Sequence, residues 1–421
     1  MGLGVVGSGV ERALREKADL IAEEVGSPLE LKRILVRDLT KKRPPEVKPE
    51  LLTSDPKQIL EDPEIDIVIE VIGGESPAYE YIKEAILNHK HVVTANKEVI
   101  AKHGLELLNL AAEYKVDLLY EASVGGGIPL INPLKQDLLA NRILAIHAII
   151  NGTTNYILTK MAQEGLNFDL ALKEAQELGY AEPDPSNDIE GTDAAYKLAI
   201  LATLAFHTEV YPEDVYTEGI SRLAPQDFRY AKELGYAIKL LAIAKREDNS
   251  IQVRVHPAFI PEDLLLAKVG GAFNAIQIDG DLVGRVIFYG EGAGALPTSS
   301  AIIADVISIA QNINLGLNHF PRVQPRLALK KKPVSEIETK YYLRMNVVDQ
   351  AGVLAQIAKV LGDHQISIAS VIQKRADART QTAEIVLMSH VAREASMQQA
   401  LEEMKRLWVV KEISSFVRVE D

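Results

Sequence analysis

Gly2-Leu3-Gly4-Val5-Val6-Gly7, followed by Ser8-Gly9-Val10, opens the chain with the glycine spacing of a dinucleotide-binding turn. Glycine serves three physical needs there: a tight turn, close approach of backbone to a pyrophosphate, and close packing of a helix on a sheet. Gly2, Gly4 and Gly7 are therefore candidate cofactor-binding positions. The pattern departs from its rule in one respect: the apolar strand that should precede it, central in a doubly wound sheet, is missing. Either the start is assigned too late or the chain is impaired as a cofactor binder, and the late start is favoured.

Working outward, strand and helix signals alternate over Val5–Tyr120, as a Rossmann-like α/β domain requires. A helix is expected from Val10 to about Val25, then a strand Ile34-Leu35-Val36 ending in Arg37-Asp38, with Lys41, Lys42 and Arg43 beyond. An acidic residue at that strand end would hold a ribose 2′-hydroxyl, whereas arginine accommodates a 2′-phosphate. Arg37 and the basic trio favour NADP, and Asp38 leaves NAD open; for the trio, a solvated charge run is the plain alternative. Ile65–Ile72 reads as a buried parallel strand running into Gly73-Gly74. A further strand, His91-Val92-Val93, delivers Thr94-Ala95-Asn96-Lys97. A lysine just past a strand's carboxyl end lies where open α/β sheets bind ligands. After the strand Val116–Tyr120 comes Glu121-Ala122-Ser123-Val124-Gly125-Gly126-Gly127-Ile128-Pro129, whose glycines can turn carbonyls toward a small ligand or simply form a hinge.

A second rich stretch runs from Gly179 to Lys197: Gly-Tyr-Ala-Glu-Pro-Asp-Pro-Ser-Asn-Asp-Ile-Glu-Gly-Thr-Asp-Ala-Ala-Tyr-Lys. Glu182, Asp184, Asp188 and Glu190 crowd a loop stiffened by Pro183 and Pro185. Asp193 and Lys197, four apart, share one face near the start of a helix that continues through an apolar run to Phe206. Such a loop suits a cationic amine, although an acidic loop with a surface ion pair would look similar. Charges leading into an apolar helix stand beside a buried wall, which favours a functional role. Upstream, Asn151-Gly152-Thr153-Thr154-Asn155-Tyr156 offers a helix cap or a donor set.

The stretch Glu182–Lys197 resembles the signature of homoserine dehydrogenases, and the resemblance extends along nearly the whole chain. It implies NAD(P)-dependent interconversion of L-homoserine and L-aspartate 4-semialdehyde, in threonine, methionine and isoleucine biosynthesis. By the same resemblance Glu182 and Asp188 sit in the substrate site, and Asp193 and Lys197 form the catalytic group, with Lys97 second to Lys197. Thr94 and Lys97 would reach the cofactor. A monovalent cation, usually sodium, would be held by the Glu121 side chain and the carbonyls of Val124, Gly126 and Ile128. Gly290-Glu291-Gly292-Ala293-Gly294 resembles the family's return loop, which places Gly292 near the nicotinamide and sends a helix at 299–317, capped by Ser299 or Ser300, back to the first domain. With no kinase-sized segment before the glycine turn, a monofunctional enzyme is expected.

The expected domains are 1–120 for the dinucleotide, 121–321 for substrate and dimerisation (α+β), a linker at 322–340, and 341–421. The last segment reads as β-α-β-β-α-β, a split ferredoxin-like unit. Its turn Asp349-Gln350-Ala351-Gly352-Val353-Leu354 resembles that of ACT domains, which bind amino acids at paired interfaces. Threonine is the effector this implies, and the open face of the four-stranded sheet is expected to pair with a second copy, giving a dimer or tetramer. A structural or dimerising add-on is the alternative.

Composition bounds the rest. Hydrophobic residues at 47% and charged residues at 25% are the balance of an ordinary globular protein. A net charge of −13 argues against nucleic acid or anionic membrane as partners. The absence of cysteine excludes disulfides and thiolate chemistry. No apolar run reaches membrane-spanning length, so a cytoplasmic enzyme is expected. Two rivals stand beside it: another NAD(P)-dependent amino- or hydroxy-acid dehydrogenase, and a catalytically impaired amino-acid sensor built on the last domain.

Overall fold

The computed structural model describes residues 1–317, 327–377 and 381–420. The first part of the chain forms α1 (Val5–Glu16), α2 (Ala18–Val25), β1 (Ile34–Leu35), β2 (Leu52–Thr53), α3 (Lys57–Leu60), β3 (Ile67–Glu70), α4 (Ala78–Leu87), β4 (His91–Thr94), α5 (Lys97–Tyr114), β5 (Leu118–Leu119) and α6 (Ile131–Lys135). The middle adds β6 (Ile143–Ile149), α7 (Gly152–Glu164), α8 (Phe168–Glu177), α9 (Ser186–Ile189), α10 (Thr192–Phe206), β7 (Tyr216–Thr217), α11 (Pro225–Glu233), β8 (Tyr236–Glu247), β9 (Ser250–Pro261), β10 (Phe273–Gly280), β11 (Gly284–Glu291) and α12 (Ala295–Leu315). The end holds β12 (Lys330–Lys331), β13 (Glu338–Val348), α13 (Val353–Asp363), β14 (Ile368–Asp377), β15 (Thr382–Ser389), β16 (Ala392–Arg393), α14 (Glu394–Met404) and β17 (Val410–Val419).

These elements form two compact units, one of Met1–Leu144, Tyr196–Asp214 and Ile278–Ala328, the other of Ala145–Ala195, Val215–Gln277 and Leu329–Asp421. In the first, β3, β4 and β5 make a parallel sheet with Ile67 opposite His91 and Val92 opposite Leu118. The strands β1 and β2 form a separate parallel pair. Met1 and Gly2 bridge the two. Gly2 N donates to Leu35 O at 3.0 Å, and Val71 N donates to Met1 O at 3.0 Å. This is the position of the central strand that a dinucleotide turn calls for, and a cavity of roughly 630 Å³ beside Met1 is lined by Leu29, Leu31, Ile67, Ile69 and Val306.

The helix expected over Val10–Val25 is two helices, because the backbone of Lys17 leaves the helical region (φ −112°, ψ 18°). The break lets α1 and α2 both lay apolar residues on α12, where Val10, Ile21, Val25, Ile302, Val306 and Ile309 share one core. The helix α12 packs on α1 and α2, and it starts at Ala295. Gly294, at φ +126°, is its cap, and Ser299 lies inside the helix with its Oγ donating to Ala295 O at 2.6 Å. Pro297 explains the early start, since the first turn of a helix tolerates proline.

The second unit is organised by one sheet in which β10, β6, β8, β9, β17, β13, β15 and β14 follow one another. The βαββαβ unit at the chain's end is present, with Tyr341, Leu343, Met345, Ile357, Leu361, Leu387, Met397 and Met404 in its own core. It is not a tethered lobe. Arg418 and Val419 of β17 pair in parallel with Ala258 and Phe259 of β9, and Lys330–Lys331 pair with Ser250–Ile251. Part of the expected linker is thus strand, and β13 begins at Glu338; Arg322 and Pro325 lie outside the described residues.

Of the sheet face away from α13 and α14, expected to pair with a second copy, the part on β13 and β15 is packed by residues of the same chain. Phe259 stacks on Tyr342 at 4.4 Å, and Asp227 of α11 receives Tyr342 Oη at 3.0 Å and Arg344 Nε at 2.8 Å. Tyr230 Oη donates to Glu384 at 2.7 Å. A buried charge is tolerated only when paired and hydrogen-bonded, so these polar side chains fix the orientation of the face they occupy. No helix among the described residues is long and apolar enough to cross a membrane.

Candidate active site

The first unit holds the candidate cofactor groups. Gly2 turns at φ +100°, and a Cβ there would stand 2.8 Å from Val71 O. A Cβ on Gly9 would meet Ser299 Oγ at 2.5 Å and Ala295 O at 2.7 Å, so that glycine serves the packing of α1 on α12. Gly4 differs: nothing lies within 4 Å of its Cβ position, and it caps α1 without a side-chain hydrogen bond. An open glycine at a helix N-terminus is a cradle suited to a phosphate, where backbone N–H groups and the helix dipole favour an anion.

At the next strand end Arg37 is exposed, while Asp38 makes a local turn, its Oδ1 accepting from Thr40 N at 2.7 Å and Thr40 Oγ1 at 2.6 Å. Those bonds hold the Asp38 carboxyl below its usual range, the Thr40 hydroxyl contributing most. Arg43 folds back onto the carbonyls of Lys41 and Asp38 at 2.8 and 2.6 Å. Of the basic trio, Arg43 therefore braces this loop.

Thr94 and Lys97 are placed by a network that starts from Glu70, a residue that the sequence reading passed over. Glu70 is fully buried, and its carboxylate accepts from Ile72 N and Thr94 Oγ1, both at 2.6 Å. Thr94 Oγ1 in turn accepts from Asn96 N at 3.0 Å, and Asn96 caps α5 through Val99 N and reaches Gly74 O at 2.7 Å. Lys97 is the first residue of α5, directly after the carboxyl end of β4. The signal that could have found Glu70 is a lone carboxylate in an apolar strand, which must be hydrogen-bonded to be tolerated.

Glu121, expected to ligate a cation, is a buried carboxylate ahead of α6. Its carboxylate accepts from the amides of Leu130, Ile131 and Asn132 at 2.5, 2.9 and 2.7 Å, capping α6. The glycines after it serve close packing: a Cβ on Gly126 would stand 2.6 Å from Gly292 O, and one on Gly127 2.8 Å from Pro297 Cβ. Gly292 is thereby brought against the triple-glycine loop. Among the described residues no cluster of three or more His, Asp or Glu side chains could hold a metal ion.

The second unit holds the candidate substrate groups. Asn151 caps α7, its Oδ1 accepting from Thr154 N at 2.8 Å, and its Nδ2 donates to Asp188 Oδ1 at 2.7 Å and to Asp193 Oδ2 at 2.9 Å. One carboxamide thus gathers the carboxylate of α9 and the first-turn carboxylate of α10. Lys197 follows Asp193 by one turn along the same helix, in the stretch from Tyr196 that belongs to the first unit. Glu182 does not join the network; it is exposed, with its carbonyl held by Gln176 Nε2 at 3.1 Å. Asp184 is structural, closing a turn onto Ser186 N and Oγ at 3.2 and 2.6 Å.

Beneath α7, Lys239 of β8 is buried and donates to Asn155 Oδ1 at 3.2 Å and Val269 O at 2.5 Å. Burial lowers its pKa to about 8. Asn155 ties the same loop through Val269 O and Phe273 O at 3.3 and 3.1 Å, while a Cβ on Gly152 would come within 2.7 Å of Ala272 O. His256 is fully buried between Arg254 Nε at 3.1 Å and Pro257 O, and burial drives its pKa well below the usual value.

Family models match three stretches of the chain. The homoserine dehydrogenase NAD-binding domain matches residues 2–121, the homoserine dehydrogenase domain matches 129–307, and the ACT domain matches 341–409. A homoserine dehydrogenase of Bacillus subtilis is 41% identical over 420 residues, covering 100% of this chain and 97% of the relative. The chain belongs to the homoserine dehydrogenase family. One from Synechocystis is 44% identical over 429 residues, covering 100% of this chain and 98% of its own length. The crystal structure of a homoserine dehydrogenase from Thiobacillus denitrificans matches with a TM-score of 0.93 at 44% identity, over 100% of this chain and 97% of that one. A hyperthermophilic archaeal homoserine dehydrogenase in complex with NADPH matches with a TM-score of 0.59 at 27% identity, over 76% of this chain and 97% of that one. Membership makes the chain an NAD(P)-dependent oxidoreductase interconverting homoserine and aspartate 4-semialdehyde, and its ACT domain fits regulation by an amino acid.

Proposed function

We propose that Lys197 takes the hydroxyl proton of homoserine during oxidation and returns it to the semialdehyde during reduction. Asp193 orients it and Lys97 is the second candidate. The observation that carries this reading is the Asn151 carboxamide holding Asp188 and Asp193 together, one helical turn before Lys197. Asp188 binds the substrate ammonium through a charge-assisted hydrogen bond, and Glu182 closes on the same group from the exposed loop. The nicotinamide cofactor, when bound, supplies hydride chemistry. Gly2, Gly4 and Gly7 admit its pyrophosphate, Arg37 reads a 2′-phosphate and so selects NADP, and Thr94, Lys97 and Gly292 border its reactive end.

A monovalent cation, most simply sodium, is assigned to the Glu121 side chain and the carbonyls of Val124, Gly126 and Ile128. Threonine is the proposed effector, bound at the exposed turn Asp349–Leu354, and a homodimer or tetramer the proposed assembly. Lys197→Ala tests the central assignment: kcat should fall by about 10²–10⁴, the scale of a lost general base, with NADPH binding retained. A kcat within threefold of the parent removes Lys197 from the mechanism.

A further inference from the structure

The C-terminal strand ends in buried charge. Arg418 is fully buried, and its Nε and Nη2 donate to Glu394 at 2.9 and 2.7 Å. Its Nη1 leaves the ACT domain to meet Glu218 Oε1 at 3.0 Å, and its guanidinium lies 5.2 Å from the centre of the Tyr216 ring. Glu218 also receives the Tyr216 hydroxyl. Tyr216–Ile220 is thus a short strap, anchored to the edge of β9 by the pairing of Tyr216 and Thr217 with Arg254 and Val255 and by Glu218 N donating to Val255 O at 2.8 Å.

The other side of the strap holds α9. Ile220 N donates to Ile189 O at 2.9 Å. Gly219 fits so closely that a Cβ there would stand 2.5 Å from Ile189 O, and a Cβ on Gly191 would stand 2.9 Å from Thr217 Cγ2. The helix α9 has four residues, too few to hold itself, so its place is set by what it touches. It touches the strap on one side and, through Asp188, Asn151 on the other.

We propose that Arg418 is a positioning residue for the substrate helix, acting through Glu218 and the strap Tyr216–Ile220 to fix where Asp188 stands. The ACT domain thereby contributes to homoserine affinity even without an effector. This rests on the reading of Asp188 as a substrate-binding residue. It predicts a specific kinetic signature, because neither Arg418 nor Glu218 belongs to the unit that carries the dinucleotide turn.

The test uses the full-length enzyme. Arg418→Gln leaves the buried Glu394 without its arginine and can fail to fold, so Glu218→Gln, at a partly exposed side chain, is the primary variant. It should raise KM for homoserine about five- to tenfold, the range of coupling through shared contacts, while kcat stays within about threefold and KM for NADP⁺ is unchanged. Asp188→Asn is made alongside. If Asp188→Asn raises the homoserine KM and Glu218→Gln leaves it at the parental value, or raises both KM values together, the proposal is wrong and the substrate reading stands. If Asp188→Asn itself leaves the homoserine KM unchanged, the substrate reading fails and takes this proposal with it.

Discussion

Asn151 and Asp193 are joined by a hydrogen bond of 2.9 Å from the Asn151 carboxamide to Asp193 Oδ2, across 42 positions of sequence, and the same amide nitrogen holds Asp188 at 2.7 Å. Two carboxylates brought to one donor repel each other, and the shared N–H groups offset that repulsion. Replacing Asn151 by Leu keeps the volume and removes the donors. Hydrogen bonds to charged groups contribute about 1.5–3 kcal/mol each, so kcat/KM for homoserine should fall about tenfold to a hundredfold. Loss of the α7 cap should lower stability by about 1 kcal/mol. Steady-state kinetics with a parallel urea titration separates the two effects, and an unchanged kcat/KM would make the network purely structural.

Arg37 is exposed at the end of β1, whereas Asp38 beside it is committed to its turn with Thr40. Arg37→Ala should therefore weaken NADPH at least tenfold more than NADH, since a single charge-assisted contact to phosphate is worth about 1.5–3 kcal/mol. Fluorescence titration with both cofactors measures this, and equal losses would assign the phosphate to another group.

Lys239 gives a pH signature. Its folded pKa is about 8, against an ordinary value of 10.5, with burial as the cause. Between those values the folded chain binds fewer protons than the unfolded one, so this lysine favours folding increasingly as pH rises from 8 to 10.5. That contribution is lost as pH falls through 8. The full swing is at most about 3 kcal/mol. Chemical denaturation at pH 7.5 and 10 should show the rise in the parent relative to Lys239→Met. Parallel pH dependences would mean that Lys239 ionises as if exposed.

Asp227 is fully buried and holds Arg344 at 2.8 Å and Tyr342 at 3.0 Å. Asp227→Ala leaves a guanidinium largely out of water with Glu384 at 3.3 Å as its remaining acidic partner. Breaking a buried pair from one side costs about 3–5 kcal/mol. A large drop in the melting temperature is expected, and a shift under 2 °C would mean that the ACT domain is held to α11 by apolar contact alone. For the same reason a chain cut before β12 should lose stability as well as any amino-acid response.

The residue order alone determined the glycine turn, the strand–helix alternation through Tyr120, the βαββαβ unit from Tyr341, and the register of Asp188, Asp193 and Lys197. These are local patterns: hydrophobic periodicity, proline and glycine punctuation, and spacing along a single helix, all legible over a few turns of chain. Tertiary structure decided the rest. Glu121 caps α6, Glu70 places Thr94, Asn151 gathers Asp188 and Asp193, and Arg418 crosses 200 positions to reach Glu218. On β13 and β15, Tyr342 and Glu384 of the sheet face are packed by Asp227, Tyr230 and Phe259 of the same chain. A buried polar side chain must find a partner, but its own sequence neighbourhood does not say which one; distance in space chooses the partner, and only the packed chain sets that distance.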